Sequence, residues 1–367
     1  MGTAEFTKAG VGARPFKGFD NVGGADRRLG MPFFMSGKIS LRSVFTIALL
    51  AAAGMPPSLQ AGGVDDLAAF SVFGKIDPAQ GMKPLAARGP KLSDPRDITV
   101  QAWCTVPVSL SQAVAAFQKW DAQPHPDLGN YACASIPAGA SASDFSGLAA
   151  TPSNSYVKAF DAATARLPAV DGTLQLAAGD AAKYPAASGG KGGAISAKSV
   201  AFWSEILADR VHAFASGGIS AQPSYVEGSQ TVRPAAEITR LLGEQPVVHQ
   251  QFASLMEDKN AQLTWNLFKT EREAALTLAA GWSKMQGNTW RHLSVNFYSS
   301  GGFYALIEFT QFWPVTVNGK EMTLIWRGEA VSSGAVESLR GVERMGASAT
   351  TMKEARRSLE SFVQSVK

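Results

Sequence analysis

The chain has 367 residues, 46% of them apolar and 17% charged, a charged fraction below the roughly 25% of an ordinary soluble domain. There is apolar material for a substantial core, and wholesale disorder is excluded. The formal charge of +4 does not describe a nucleic-acid-binding surface, because the surplus sits in the first 61 residues. Lys8, Arg14, Lys17, Arg27, Arg28, Lys38 and Arg42 stand there against Glu5, Asp20 and Asp26, so the 34 bases and 30 acids of the whole chain become 27 of each beyond residue 61. A phosphate-binding face needs a local excess of Lys and Arg, which the rest of the chain lacks.

Those first 61 residues read as an N-terminal extension followed by an export signal. Residues 35–42 form a short basic segment, residues 44–55 are twelve residues without charge, Pro56-Pro57 ends any helix, and Ala61 before Gly62-Gly63 offers a cleavage point. Twelve apolar residues are too few to span a bilayer core, which takes about 20, so no stable membrane anchor is expected after cleavage. Residues 1–30 are Gly-rich without periodicity, which fits a start at Met31 or Met35. The residues after Arg27-Arg28 do not fit a twin-arginine signal, and no Cys near the cleavage point would carry a lipid. The expected location is periplasmic or extracellular. Export in turn predicts a disulfide between Cys104 and Cys133, the only two cysteines.

Residues 98–106 alternate as a strand closed by Pro107, and a helix follows, capped by Ser109 or Ser111, with Val114, Phe117 and Trp120 along one side. Residues 137–155 read as loop. Residues 156–167 read as helix, with Val157, Phe160, Ala163 and Leu167 on one side. The Gly-rich segment 184–198 reads as a linker, dividing an N-terminal α+β region (62–183) from a second region (199–367). In that region Ser199 is the expected cap of a helix carrying Val200, Trp203, Leu207, Val211 and Phe214. Pro234 and Gly243 bracket a second helix, and Pro246 opens a third through Met256.

Downstream the hydrophobic period changes to two. Residues 263–268, 274–284, 290–298, 303–313 and 321–331 predict an antiparallel meander, although 263–284 also admits a single helix. Residues 350–366 predict a long docking helix with Ala355, Leu359, Phe362, Val363 and Val366 on one face. The fold class is therefore α+β: a C-terminal antiparallel meander packed by a C-terminal helix, preceded by a helical segment and an N-terminal strand and helix. In outline this is similar to the helix-grip architecture of START-like proteins. The likeness covers about half of the mature chain, the helices over 199–256 depart from it, and it implies no function.

No H-E-x-x-H, G-x-S-x-G or complete phosphate-binding loop is present. Glu205, Asp209 and His212 recur at helical spacing and are the metal-ligating candidates, set against their reading as a solvated helix face. A two-residue turn at Asn318-Gly319 would place Glu308 opposite Glu329 and Arg327 opposite Thr310, on the same face and diagonal to Glu308. Two carboxylates and a guanidinium there are either an acid/base pair or an exposed ion network. Pro314 introduces the alternative of a bulge that shifts this register. Tyr304, Phe312, Trp313, Trp326 and Phe362 are the ligand-binding candidates, set against ordinary core. Together these features predict an exported, non-catalytic protein that binds an apolar small molecule or an envelope component. The alternative is an exported hydrolase using the carboxylate pair. No cofactor is expected.

Overall fold

The computed structural model describes residues 64–366 apart from 138, 168–173, 185–191 and 228–229, so the expected leader lies outside the described residues. In chain order the elements are β1 (Leu85–Arg88), β2 (Asp97–Val106), α1 (Leu110–Asp121), β3 (Asn130–Ile136), α2 (Ser155–Ala165), β4 (Leu176–Ala177), α3 (Asp180–Lys183) and α4 (Ala197–Gly217). They continue with β5 (Tyr225–Glu227), β6 (Gln230–Val232), α5 (Pro234–Gly243), α6 (Pro246–Met256), β7 (Gln262–Lys269), β8 (Ala274–Gln286), β9 (Thr289–Ser299), β10 (Ala305–Val317), β11 (Lys320–Ser332), α7 (Gly334–Glu337) and α8 (Gly341–Ser365). Short 3-10 turns punctuate the first half, including Ala142–Ala150 in the segment expected to be loop. The fold is α+β, with a large antiparallel sheet and a C-terminal helix, as expected.

Eight strands make one antiparallel sheet in the order β1-β2-β11-β10-β9-β8-β7-β3. Strands β7 to β11 form the meander, which settles residues 263–284 as two strands. The strands from the first half extend that meander at both ends, β2 pairing with β11 and β3 with β7. Residues 185–191 of the expected linker are outside the described residues. Tyr184 before them and Ile195 after them are buried in the same core, and residues 57–367 group as one compact unit.

Local chemistry explains the elements. Ser109 caps α1 through a capping box with Gln112. Helix α4 is capped three residues before the expected cap. Ser196 accepts from the backbone N–H of Ser199 and donates to Asp161, while Ser199 is buried in the first turn. At the β10–β11 turn Asn318 and Gly319 have φ of 51° and 74°, the left-handed pair of a type I′ hairpin, and Val317 faces Lys320. Pro314 leaves this register intact. In a hairpin closed by a hydrogen-bonded pair at 317 and 320 its nitrogen points away from β11, toward the β9 side, where pairing has ended at Phe312 opposite Trp290.

The sheet's two faces carry separate cores. On one face Trp265, Leu278, Val295, Phe309, Trp313, Leu324 and Trp326 pack with α2, α4, α5 and α6 in the larger cluster. An irregularity in β9 turns both Phe297 and Tyr298 toward α4, where Phe214 stacks on Phe297 at 4.6 Å and the Arg210 guanidinium lies 5.4 Å from the Tyr298 ring. Arg210 also forms a buried ion pair with Asp180. On the other face α1 and α8 lie over Val100, Cys104, Trp290, Phe312 and Ile325 and bury Phe117, Trp120, Leu359, Phe362 and Val363. Helix α8 begins nine residues before the expected position 350, because its first turns expose Val342 and Met345 and carry no apolar stripe.

The expected disulfide does not form: Cys104 and Cys133 are both free. Cys104 sits on β2 and Cys133 on β3, and five strands separate them in the sheet.

Candidate functional site

The helix-covered face is packed only where α1 and α8 reach it, and beyond them it opens into a cavity of about 730 Å³. Register builds its wall. Directly paired residues of an antiparallel sheet share a face, so Ser283, His292, Thr310 and Arg327 form one row across β8 to β11. Gly281, Ser294, Glu308 and Glu329 form the next, continued by Gln262 on β7. The Glu308–Glu329 and Thr310–Arg327 pairs expected from the Asn318-Gly319 turn are both present. Asp121 joins them from the last turn of α1, and Glu354 and Ser358 from α8.

Arg327 organises this end of the cavity. Its Nη2 donates to Glu308, its Nη1 donates to Ser358 Oγ at 3.1 Å, and its Nε lies 2.8 Å from Glu329 Oε1. That last contact is an ion pair without hydrogen-bond geometry, since the Nε–H has no acceptor in line among the described residues. Asp121 borders the cavity and makes no direct hydrogen bond or salt bridge with a described residue.

Enclosure sets the protonation states. Burial pushes the Glu329 carboxyl up; Arg327 opposes this while Glu308 and Glu354 add to it, and the pKa reaches about 7. Asp121 is exposed at the cavity mouth, yet the protein crowded around its carboxyl still raises it, with His292 and Arg327 opposing and Glu308 adding. For His292 burial lowers the pKa, against the pull of Asp121 and Glu308, so the imidazole is held neutral. Burial disfavours the Arg327 charge, and Glu308, Glu329 and Asp121 more than offset it, leaving the guanidinium firmly protonated. Near neutral pH this end of the cavity offers a neutral imidazole and a carboxyl poised between donor and acceptor.

Aromatic rings border the charged end. Trp290 stacks on His292 with 5.7 Å between centroids and planes 5° apart, Phe117 meets His292 edge-on at 5.9 Å, and Trp120 stacks on His125 at 4.3 Å. Away from it the wall carries uncharged polar side chains. Gln262, Thr264, Ser283, Ser294 and Asn296 line it, and none makes a side-chain hydrogen bond with a described residue. The Oγ1 of Thr277, fully buried, has no partner either.

The expected site residues fall into three groups. Glu308, Arg327 and Glu329 converge on the cavity. Of the aromatic candidates, Trp313, Trp326 and Tyr304 belong to the larger core, while Phe312 packs against the buried face of α8, to which Phe362 belongs; none of the five borders the cavity. Glu205, Asp209 and His212 are all exposed on α4, and Asp209 pairs with Lys183 at 2.7 Å. Among the described residues no group of three or more His, Cys, Asp or Glu could hold a metal ion. Asp121, His292 and the polar wall escaped the sequence reading.

No known family model and no curated protein matches this chain. Among the described residues, no helix is long and apolar enough to cross a membrane.

Proposed function

We propose that this is an exported protein that binds a small, hydrogen-bonding molecule in the cavity between the sheet and helices α1 and α8. The observation that carries the reading is the row of unpartnered polar side chains at Gln262, Thr264, Ser283, Ser294 and Asn296. A face covered by helices is ordinarily apolar, and polar groups screened from water cost free energy unless something bonds to them; Asn296 is buried and Thr264 and Ser294 are half-buried, while Gln262 and Ser283 stand exposed at the rim. A cavity of about 730 Å³ lies within the range of small-molecule sites. The ligand is polar along most of its length, with the aromatic rings at one end taking an apolar portion. Export rests on the leader alone, since the two thiols are not bonded.

Native mass spectrometry of protein purified from its own envelope tests both parts. The expected result is a chain beginning near Gly62 with a retained small molecule, and loss of that molecule in Ala279→Trp, which fills the cavity wall. A mature chain that keeps residues before Lys38, or an adduct that survives Ala279→Trp, would count against the reading.

A second reading has one observation in its favour, the Glu329 carboxyl with a pKa near 7. A carboxyl so placed suits general acid/base work, which makes a carboxylate hydrolase the alternative. Its mark is an activity in the mature protein that falls by about 10²–10⁴ in Glu329→Gln with circular dichroism unchanged.

A further inference from the structure

Taking the binding reading as its basis, we propose that the ligand carries an organic cation, an amine or ammonium group, and that this group is held by Asp121, Glu308 and Glu329 beside the rings of Phe117, Trp120 and Trp290. The argument begins with a charge count. Three carboxylates converge here and one guanidinium serves them, Arg327. The other cations of the cavity lining, Lys269 and Arg357, favour the charged form of Glu354 rather than of these three carboxylates; the Lys269 ammonium also lies 4.7 Å over the Tyr156 ring, and Arg357 donates to the Asp127 carbonyl at 2.8 Å. Asp127 and Glu354 bring the acids of the lining to five, against the three cations Lys269, Arg327 and Arg357. The nearby imidazole, His292, supplies no charge while neutral.

Arg327 already has its charge balanced by two carboxylates, Glu308 and Glu329, which leaves it little attraction for an anionic ligand. Both its terminal nitrogens donate to protein, and its Nε faces Glu329. Asp121, exposed at the cavity mouth, has no direct hydrogen-bond or ion-pair partner among the described residues, so its carboxylate is open to a ligand. A metal ion fits poorly, because no three of these acids and imidazoles come close enough together to ligate one. An ammonium group needs less: one or two carboxylate oxygens, and aromatic faces on which its positive charge and adjoining methylenes can rest. The Thr277 Oγ1 behind the same lining is also buried without a partner among the described residues. Burial and mutual repulsion also raise the Asp121 and Glu329 carboxyls, as expected of a site short of positive charge.

The test uses three probes with one skeleton, benzylamine, benzyl alcohol and benzoate, titrated calorimetrically into the full mature chain at pH 8. Benzylamine is expected to bind about tenfold more tightly than the alcohol, benzoate least. Asp121→Asn, which breaks no protein ion pair, and Glu329→Gln should each bring benzylamine toward the alcohol, and Ala279→Trp should abolish binding of both. Alcohol or benzoate binding as tightly as benzylamine would overturn the cationic ligand and leave the cavity reading standing. Absence of binding by all three, or binding that survives Ala279→Trp, would overturn both.

Discussion

At the scale of single residues the decisive quantity is the protonation of Glu329, which burial raises from 4.5 to about 7. A carboxyl whose folded pKa is raised favours the folded state at low pH, and that contribution is lost as pH climbs from about 4.5 through 7. Glu329→Gln holds the neutral form at every pH. The variant should therefore gain stability relative to the parent across that window, by roughly 1–3 kcal/mol at one side chain, and chemical denaturation of both proteins at pH 4.5 and pH 8 measures it. A difference independent of pH would mean that the carboxyl titrates normally. Arg327→Met tests the same cluster from the other side. It leaves Glu308 and Glu329 without their cation, a loss of about 3–5 kcal/mol at pH 8 that should shrink at pH 5, where protonation relieves the carboxyls. These residues were legible because a two-residue turn fixes every pair along its hairpin. The Gly287-Asn288 turn, with Gln286 opposite Thr289, fixes His292 opposite Ser283 by the same arithmetic. Nothing in a sequence period carries β9 onto β10, since residues 300–304 between them form no tight turn, so His292 could not be placed beside Arg327. Asp121 comes from a helix far away in sequence and left no signal.

At the scale of elements, α8 both closes the smaller core and roofs the cavity. Phe362 meets Phe117 at 5.8 Å and Phe312 at 6.4 Å and is buried. Phe362→Ala should cost about 3–5 kcal/mol from lost burial and the void left behind, read as a lower midpoint in denaturant with an unchanged slope. A cost below about 1 kcal/mol would mean that α8 does not dock as described. The docking half of α8 was legible from its apolar face, and its first turns were not, since helix continues there without an apolar stripe. The edge strand β3 was also unread: its Ala132, Cys133 and Ala134 are half-buried small side chains, which give no sharp alternation. The polar wall was hidden for a related reason. Gln262, Thr264 and Asn266 alternate with Leu263, Trp265 and Leu267, a pattern that ordinarily marks a solvent-facing side. Only the helices above reveal that Thr264 and Asn266 on this side are half-buried, with Gln262 left exposed at the rim.

At the scale of the whole molecule the thiols report on the sheet. Burial pushes the Cys104 thiol up to about 12, and burial followed by the nearby Asp121 raises Cys133, which borders the cavity. Unfolded, unreduced protein should titrate as two thiols. In the native protein Cys133 should react slowly with a small disulfide reagent and Cys104 only on unfolding. One intramolecular disulfide in the purified protein would contradict the separation of β2 from β3.

The interleaving of the sheet makes a stronger claim, about how the two halves of the chain depend on each other. All ten residues of β2 are buried, and β2 is held between β1 and β11 by pairs from Thr323–Val106 to Ser332–Asp97. At the sheet's other end β3 depends on β7 for its pairing. A further tie joins the halves where Arg240 on α5 binds Asp97 and Glu237, Glu237 also contacts Arg96, and Ser332 donates to Glu237. Composition alone suggests a linker at residues 184–198, yet the strands of the first flank join a large sheet only by pairing with the meander of the second. A protease site inserted within residues 185–191 should therefore be cut without separating the pieces. The two fragments are expected to co-elute by size exclusion and to melt in one transition, because each supplies strands to the same sheet and side chains to the same larger core. Fragments that separate in native buffer, or that melt independently, would show instead that the first half folds without the meander.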